Sequence, residues 1–166
     1  MRIAATSFNP VDPKRTSGMM RQIFPLQFPF TPGGDFSGVV EAVGGELTEF
    51  KPGNAVIGYS MAGGGYAEFI ATDANNVARK PKSVSDVEAA SLALVAQTAL
   101  QMLDRAGVKQ GQTVPIHGAG GAVGGVAVQV AHRPRRKGDC DGFKRELGAG
   151  EGVWRGRGDR LPCDEV

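Results

Sequence analysis

Residues Val114–Ala131, VPIHGAGGAVGGVAVQVA, decide the reading of this chain, because an apolar strand, a glycine turn and an amphipathic helix follow one another without a gap. Gly118, Gly121 and Gly124 stand three apart. That spacing lets a backbone turn tightly, approach a pyrophosphate closely and pack the new helix against its strand. The N–H groups of the first helical turn then face the anion, and the helix dipole favours its charge. A glycine run of this kind also closes ordinary strand-to-helix turns. Its setting argues for the anion site, since Val123, Val126, Ala127 and Val130 recur at helical spacing along one face. His117 closes the apolar strand and reads as a packing or tautomer-fixed residue.

Working outward, Ser85 with Glu88 three residues later reads as a capping box ahead of an alanine-rich helix. Ala99, Leu100 and Leu103 predict a second helix over Ala96–Ala106, ended by Gly107. Before these helices, from Met1 to about Val84, short β segments alternate with Gly and Pro and predict a small barrel-like β domain. Ser37–Val43, Ala55–Gly58, Tyr66–Ala71 and Asn76–Ala78 are the expected strands. Lys51-Pro52-Gly53-Asn54 is the expected turn. The order is therefore a β domain over 1–84, then linking helices and the first strand and helix of a doubly wound parallel sheet over 85–132.

Composition narrows the function classes. The chain has 166 residues, 41% of them apolar, enough for a real core. No basic region leads into a long apolar run, so neither a secretory signal nor a membrane span is read, and a cytoplasmic setting is the expectation. Residues 133–166 carry nine basic and seven acidic side chains, leaving ten of each before them, so the net charge of +2 belongs wholly to the tail. With no basic helix and no stacking aromatics beside it, a nucleic-acid surface is not expected. Cys140 and Cys163 both lie in that tail, which excludes a disulfide framework or a four-cysteine zinc lobe.

Six segments in order resemble the medium-chain dehydrogenase/reductase superfamily, and within it the zinc-independent quinone oxidoreductases. They are FNPVDPK at Phe8–Lys14, TPGGDFSGVVEAVG at Thr31–Gly44, FKPGNAVIG at Phe50–Gly58, GGGYAEFI at Gly63–Ile70, AQTAL at Ala96–Leu100, and the glycine turn. The resemblance implies an α/β fold, a partial GroES-like β-barrel followed by the start of a Rossmann domain. It also implies hydride transfer from a reduced nicotinamide, usually that of NADPH, to a quinone or other activated enone as a small electrophilic acceptor, while the residues that separate NADP from NAD follow the second strand and leave that choice open. Asn9 matches the family asparagine beside the nicotinamide, and Thr98 the threonine approaching the same end. Gly118, Gly121, Ala122, Val123 and Gly124 would serve the pyrophosphate. No residue is assigned a catalytic acid–base role.

Zinc-bearing relatives carry a cysteine three residues before the aspartate and a Gly-His-Glu triplet. Asn9 and Gly34 stand at those ligand positions, and neither supplies a thiolate or imidazole, so no metal is expected. Asp35 reads equally as a turn former or a substrate contact, and Tyr59 and Tyr66 as core or rim residues or as substrate-orienting groups. An enoyl-thioester reductase of the same superfamily, or a non-catalytic defective fragment, are the rival readings.

The resemblance stops near Ala131. Relatives continue with an apolar second strand, whereas residues 133–166 offer neither a strand run nor a helical stripe and are expected to be irregular. Deleting one base after the Arg133 codon, with permissible codons, restores a family-like Arg-Arg-Gly-Ala-Lys-Val-Ile-Ala-Thr-Ala string. Our hypothesis is a frame-shifted tail, and coding DNA with no extra base there would refute it. Relatives also begin with further β segments before the Asn-Pro turn, so truncation at both ends is expected. The homodimer usual among intact relatives would lack its edge strands here.

Overall fold

The structure is a computed structural model that describes residues 1–45, 49–109 and 111–132, together with the strand backbone of 141–147 and 154–160. It divides into two compact units, Met1–Leu94 and Val95–Val166.

The first unit is built on a four-stranded antiparallel sheet with strands in sequence order: β1 (Arg2–Thr6), β2 (Asp35–Val39), β3 (Ala55–Tyr59) and β4 (Val77–Arg79). β2 pairs with β3 from Asp35↔Tyr59 to Val39↔Ala55, and with β1 through a register shift between Ile3 and Ala5. Gly38 permits the second pairing, because a Cβ there would stand 2.1 Å from the Arg2 carbonyl oxygen. β2 is covered on both faces, so its side chains do not alternate between water and core. Phe36 is 1% exposed, and Val40, Phe50 and Val56 form a core cluster with Met1, Ala74 and Val77 against it. The turn at Lys51–Asn54 forms as expected, with Gly53 at φ +88° and the Lys51 N–H donating to the Asn54 side chain at 3.0 Å.

Three expectations for this unit change. The ladder expected over Ser37–Val43 begins at Asp35 and stops at Val39. The segment Tyr66–Ala71 makes only an isolated bridge, Arg2↔Phe69. Gly63 and Gly64 hold positive φ, and Gly64, Gly65 and Tyr66 donate to the carbonyls of Thr31, Gly33 and Pro32, so the start of the segment is tied to a loop, while its centre meets the edge of β1 through Ile3 N–H to the Glu68 carbonyl at 2.8 Å and Ile70 N–H to the Met1 carbonyl at 3.0 Å. Asn9-Pro10 and Asp12-Pro13, ordinary turn dipeptides by composition, instead open a helix, α1 (Val11–Thr16), with Pro10 at its N-cap and Pro13 in its first turn. Proline is tolerated there because the first N–H groups of a helix have no intrahelical acceptor.

α2 (Asp86–Ala90) opens on the expected capping box: the Ser85 hydroxyl accepts from the Glu88 N–H, and the Glu88 carboxylate accepts from the Ser85 N–H. α3 (Ala93–Arg105) begins three residues before the expected start. It ends at Gly107, whose φ of +63° lets the Val108 N–H return to the Leu103 carbonyl. In the second unit Ala99 and Leu103 of α3 pack with Ala127 of α4 (Ala122–His132). Val108, Ile116, Val123, Val126 and Val130 surround them, which is the apolar face the periodicity predicts.

The strand expected before the glycine turn is absent. Val114, Pro115 and Ile116 form no ladder among the described residues, because a parallel strand exists only through hydrogen bonds to a neighbour. His117 is exposed rather than packed. Within the tail expected to be irregular, β5 (Asp141–Leu147) and β6 (Trp154–Arg160) pair antiparallel from Asp141↔Arg160 to Leu147↔Trp154. A ribbon of two strands is joined by its backbone and needs no continuous apolar run. Residues 133–140, 148–153 and 161–166, where the frame-shift reading also falls, lie outside the described residues.

Candidate functional site

In the first unit the polar residues that the sequence scatters over three motifs converge on two buried carboxylates. Asp35, on β2, is fully buried and accepts three hydrogen bonds: from Ser7 Oγ at 2.6 Å, from Asn9 Nδ2 at 2.7 Å and from the Leu94 N–H at 2.8 Å. The last of these is a backbone donor in the first turn of α3, where helices leave N–H groups without internal partners. Asp12, on α1, is also buried and accepts from the Asn9 N–H at 2.8 Å and the Tyr66 hydroxyl at 2.9 Å. Asn9 is thus held at both ends. Its backbone rests on Asp12 and its carboxamide on Asp35, and with Nδ2 committed to that carboxylate its Oδ1 is left as the acceptor.

Two glycines make room for this arrangement. A Cβ on Gly33 would lie 2.4 Å from the Tyr66 ring, and one on Gly34 would lie 2.3 Å from the Tyr59 ring. Gly33 also holds φ +85°, a conformation that other residues adopt at a cost. Desolvation, then donation to Asp12, pushes the Tyr66 hydroxyl up from 10.0 to about 12, so it remains a proton donor at neutral pH. The Tyr59 hydroxyl is raised as well, chiefly by burial and against the lowering effect of Arg15.

Sequence reasoning singled out Asn9 but missed its supports. Tyr66 was legible as a core, rim or substrate-orienting residue but not as a donor to Asp12, and Asp35 gave no sign of being a hub. One usable signal was Asn9 followed by Asp12, a spacing at which a carboxylate reaches back to a backbone N–H.

In the second unit the glycine turn has the shape its spacing implies. Gly118 turns at φ +70°, Gly121 donates back to the Gly118 carbonyl at 2.9 Å, and the first helical bond runs from Gly125 to Gly121 at 2.8 Å. The N–H groups of Ala122, Val123 and Gly124 precede that bond, in the first turn of α4. Gly124 packs the helix onto the turn, since a Cβ there would stand 2.2 Å from the Gly118 oxygen, while Gly120 faces open space. The structure therefore brings Gly118, Gly121, Ala122, Val123 and Gly124 together. Thr98 lies on α3, half-buried beside Ala99, and Asn9 belongs to the first unit.

A sheet of this topology, with these loops around it, defines a GroES-like domain, and residues 1–82 match the alcohol dehydrogenase GroES-like domain family. Among known proteins, the quinone oxidoreductase of Sus scrofa is 39% identical over 132 residues, covering 79% of this chain and 40% of that protein. An alcohol dehydrogenase superfamily protein from Novosphingobium aromaticivorans superposes with TM-score 0.71 at 42% identity, over 78% of this chain and 41% of its own. The CurK enoyl reductase gives 0.72 at 33%, over 79% and 41%. A mycobacterial protein, Rv1454c, complexed with NADPH gives 0.69 at 34%, over 79% and 40%. The chain belongs to the alcohol dehydrogenase, or medium-chain dehydrogenase/reductase, superfamily, and it spans about two fifths of the length of the curated relatives it matches, 36–42%. No helix among the described residues is long and apolar enough to cross a membrane.

Proposed function

We propose that this chain is part of a zinc-independent oxidoreductase that transfers hydride from NADPH to a quinone or other activated enone. The observation that carries the reading is the start of α4, where three N–H groups precede the first helical bond and glycines leave the approach clear of side chains. Those residues fit a nicotinamide dinucleotide, whose pyrophosphate they would hold. When bound, the reduced nicotinamide supplies the hydride, and the protein supplies binding and orientation. Asn9 contributes a carboxamide oxygen fixed in direction by Asp35 and Asp12, which removes the entropy of searching for a contact. On the resemblance, Thr98 would offer a hydroxyl to the nicotinamide.

Zinc does not fit the residues present. Where the resemblance places a histidine ligand, Gly34 stands with the Tyr59 ring in the space a Cβ would need, and Asn9 spends its amide on Asp35. On this reading the partner is a small electrophilic acceptor, with no nucleic acid or membrane, in the cytoplasm, and intact relatives pair as homodimers. The likeness to an enoyl reductase supports a second reading with an enoyl thioester as acceptor.

Titrating NADPH and NADH into the purified chain, followed by nicotinamide fluorescence, tests the cofactor site. Micromolar binding with NADPH preferred supports it. Absence of binding refutes it and favours the non-catalytic rival. Comparing turnover of a quinone and an enoyl thioester, on a chain extended to its relatives' length, separates the two acceptors.

A further inference from the structure

Apart from the Asn9 network, the first unit carries an open hollow of about 710 Å³, the size of small-molecule sites, whose wall includes Arg15, Phe28, Phe30, Thr31 and Phe69. Arg15 leaves the last turn of α1. Its guanidinium carbon lies 5.1 Å from the centroid of the Phe30 ring and 5.7 Å from that of Phe24, distances at which ring faces attract a cation and steady its plane. One arm is occupied: Nη1 donates to the Met61 carbonyl at 2.7 Å. Nε is buried with no hydrogen-bond partner, and among the described residues no carboxylate pairs with Arg15.

A guanidinium has five donors and a full charge, and here much of both is unspent. Buried donors without acceptors are uncommon in folded proteins, and an incoming oxygen relieves them. Phe28 and Phe69 on the same wall are 81% and 58% exposed, so apolar ring surface stands in water beside a cation that makes no ion pair among the described residues. Charge selects an oxyanion, and the rings select a flat apolar body attached to it.

We propose that this hollow binds a planar aromatic carboxylate or comparable conjugated oxyanion, its oxygen on the Arg15 guanidinium and its rings against Phe28 and Phe69. The site is independent of the nicotinamide reading, since every residue it uses lies in the first unit and none belongs to the glycine turn.

The experiment is calorimetric titration of the full chain with 2-naphthoate and with its neutral isostere, 2-naphthamide. The carboxylate binds at least about tenfold more tightly, as a charge-assisted hydrogen bond over a neutral one implies. Arg15→Gln abolishes that preference and leaves the naphthamide affinity in place, and Phe28→Ala weakens both probes. Equal affinities for the two probes in the unmutated chain, or no naphthoate binding up to about 1 mM, overturn the proposal. Because the preference is read on the unmutated chain, a variant that fails to fold leaves the test standing. Amide shifts in a labelled chain, confined to residues 15, 28, 30 and 69 and their neighbours, mark the same site; shifts elsewhere count against it.

Discussion

Alanine at position 124 and alanine at position 125 are expected to change stability in opposite directions, although both replace a glycine in α4. In either place alanine gains about 1 kcal/mol of helix propensity. At Gly124 the new Cβ would lie 2.2 Å from the Gly118 oxygen, 2.7 Å from its carbonyl carbon and 2.8 Å from the Ala119 Cα. Ordinary carbon–oxygen contacts begin near 3.3 Å, so the turn must retreat by about 1 Å. The obstacle is backbone, and forcing such shifts costs about 1–3 kcal/mol. The net expectation for Gly124→Ala is therefore a loss of up to about 2 kcal/mol. At Gly125 the nearest atom is the Ala119 oxygen at 3.5 Å, an ordinary contact, so Gly125→Ala keeps its gain of about 1 kcal/mol. Urea unfolding followed by far-ultraviolet circular dichroism measures both, and an unchanged slope assigns midpoint shifts to stability. On the proposed cofactor site, Gly124→Ala also weakens NADPH binding in the fluorescence titration. Midpoints that move in the same direction, or a stabilised Gly124→Ala, would refute the packing argument.

Asp35→Asn keeps the side-chain shape but offers an amide to groups that donate, and is expected to cost about 2–4 kcal/mol in the same unfolding assay. Tyr66→Phe removes the hydroxyl from Asp12 and costs about 1 kcal/mol near neutral pH. Its pH dependence has a definite sign. Because the Tyr66 pKa is raised from 10.0 to about 12, folding favours the protonated form, so the contribution is whole below pH 10 and lost as pH rises toward 12. Tyr66→Phe flattens that alkaline slope, measured by unfolding between those limits. The Glu88 carboxyl is held below its ordinary pKa by hydrogen bonds from Ser85, so Ser85→Ala raises it toward the usual carboxylate range, seen by carbon NMR, and frays α2.

The parts of the fold legible in the sequence are those set by neighbours along the chain. Ser85 and Glu88 act across three residues, Gly107 ends α3 by its own φ, and the apolar face of α4 repeats every turn. The glycine turn belongs with them, for Gly118 and Gly124 meet within seven residues. Elsewhere the deciding partner is remote. Asp35 stands 28 residues from Ser7, 26 from Asn9 and 59 from Leu94, so its role depends on donors that only the folded sheet assembles. Val114–Ile116 has strand composition but no strand to pair with among the described residues, and the start of Tyr66–Ala71 is drawn off by bonds to Thr31–Gly33, leaving a single bridge to β1. Composition cannot weigh such competitions, because β propensity measures fit to a neighbour more than a preference of the residue itself.

The ring of Tyr59 resting where position 34 would need a side chain makes those two sites interdependent in descent. A lineage could not acquire an imidazole at 34 while the aromatic at 59 stayed in place, and shrinking residue 59 first would open a void beside buried Asp35. Each order of replacement passes through a damaged intermediate, overcrowded in one case and hollow in the other. On the zinc-independent reading, gaining a ligand side chain at 34 would thus require paired change, and the two residues should covary.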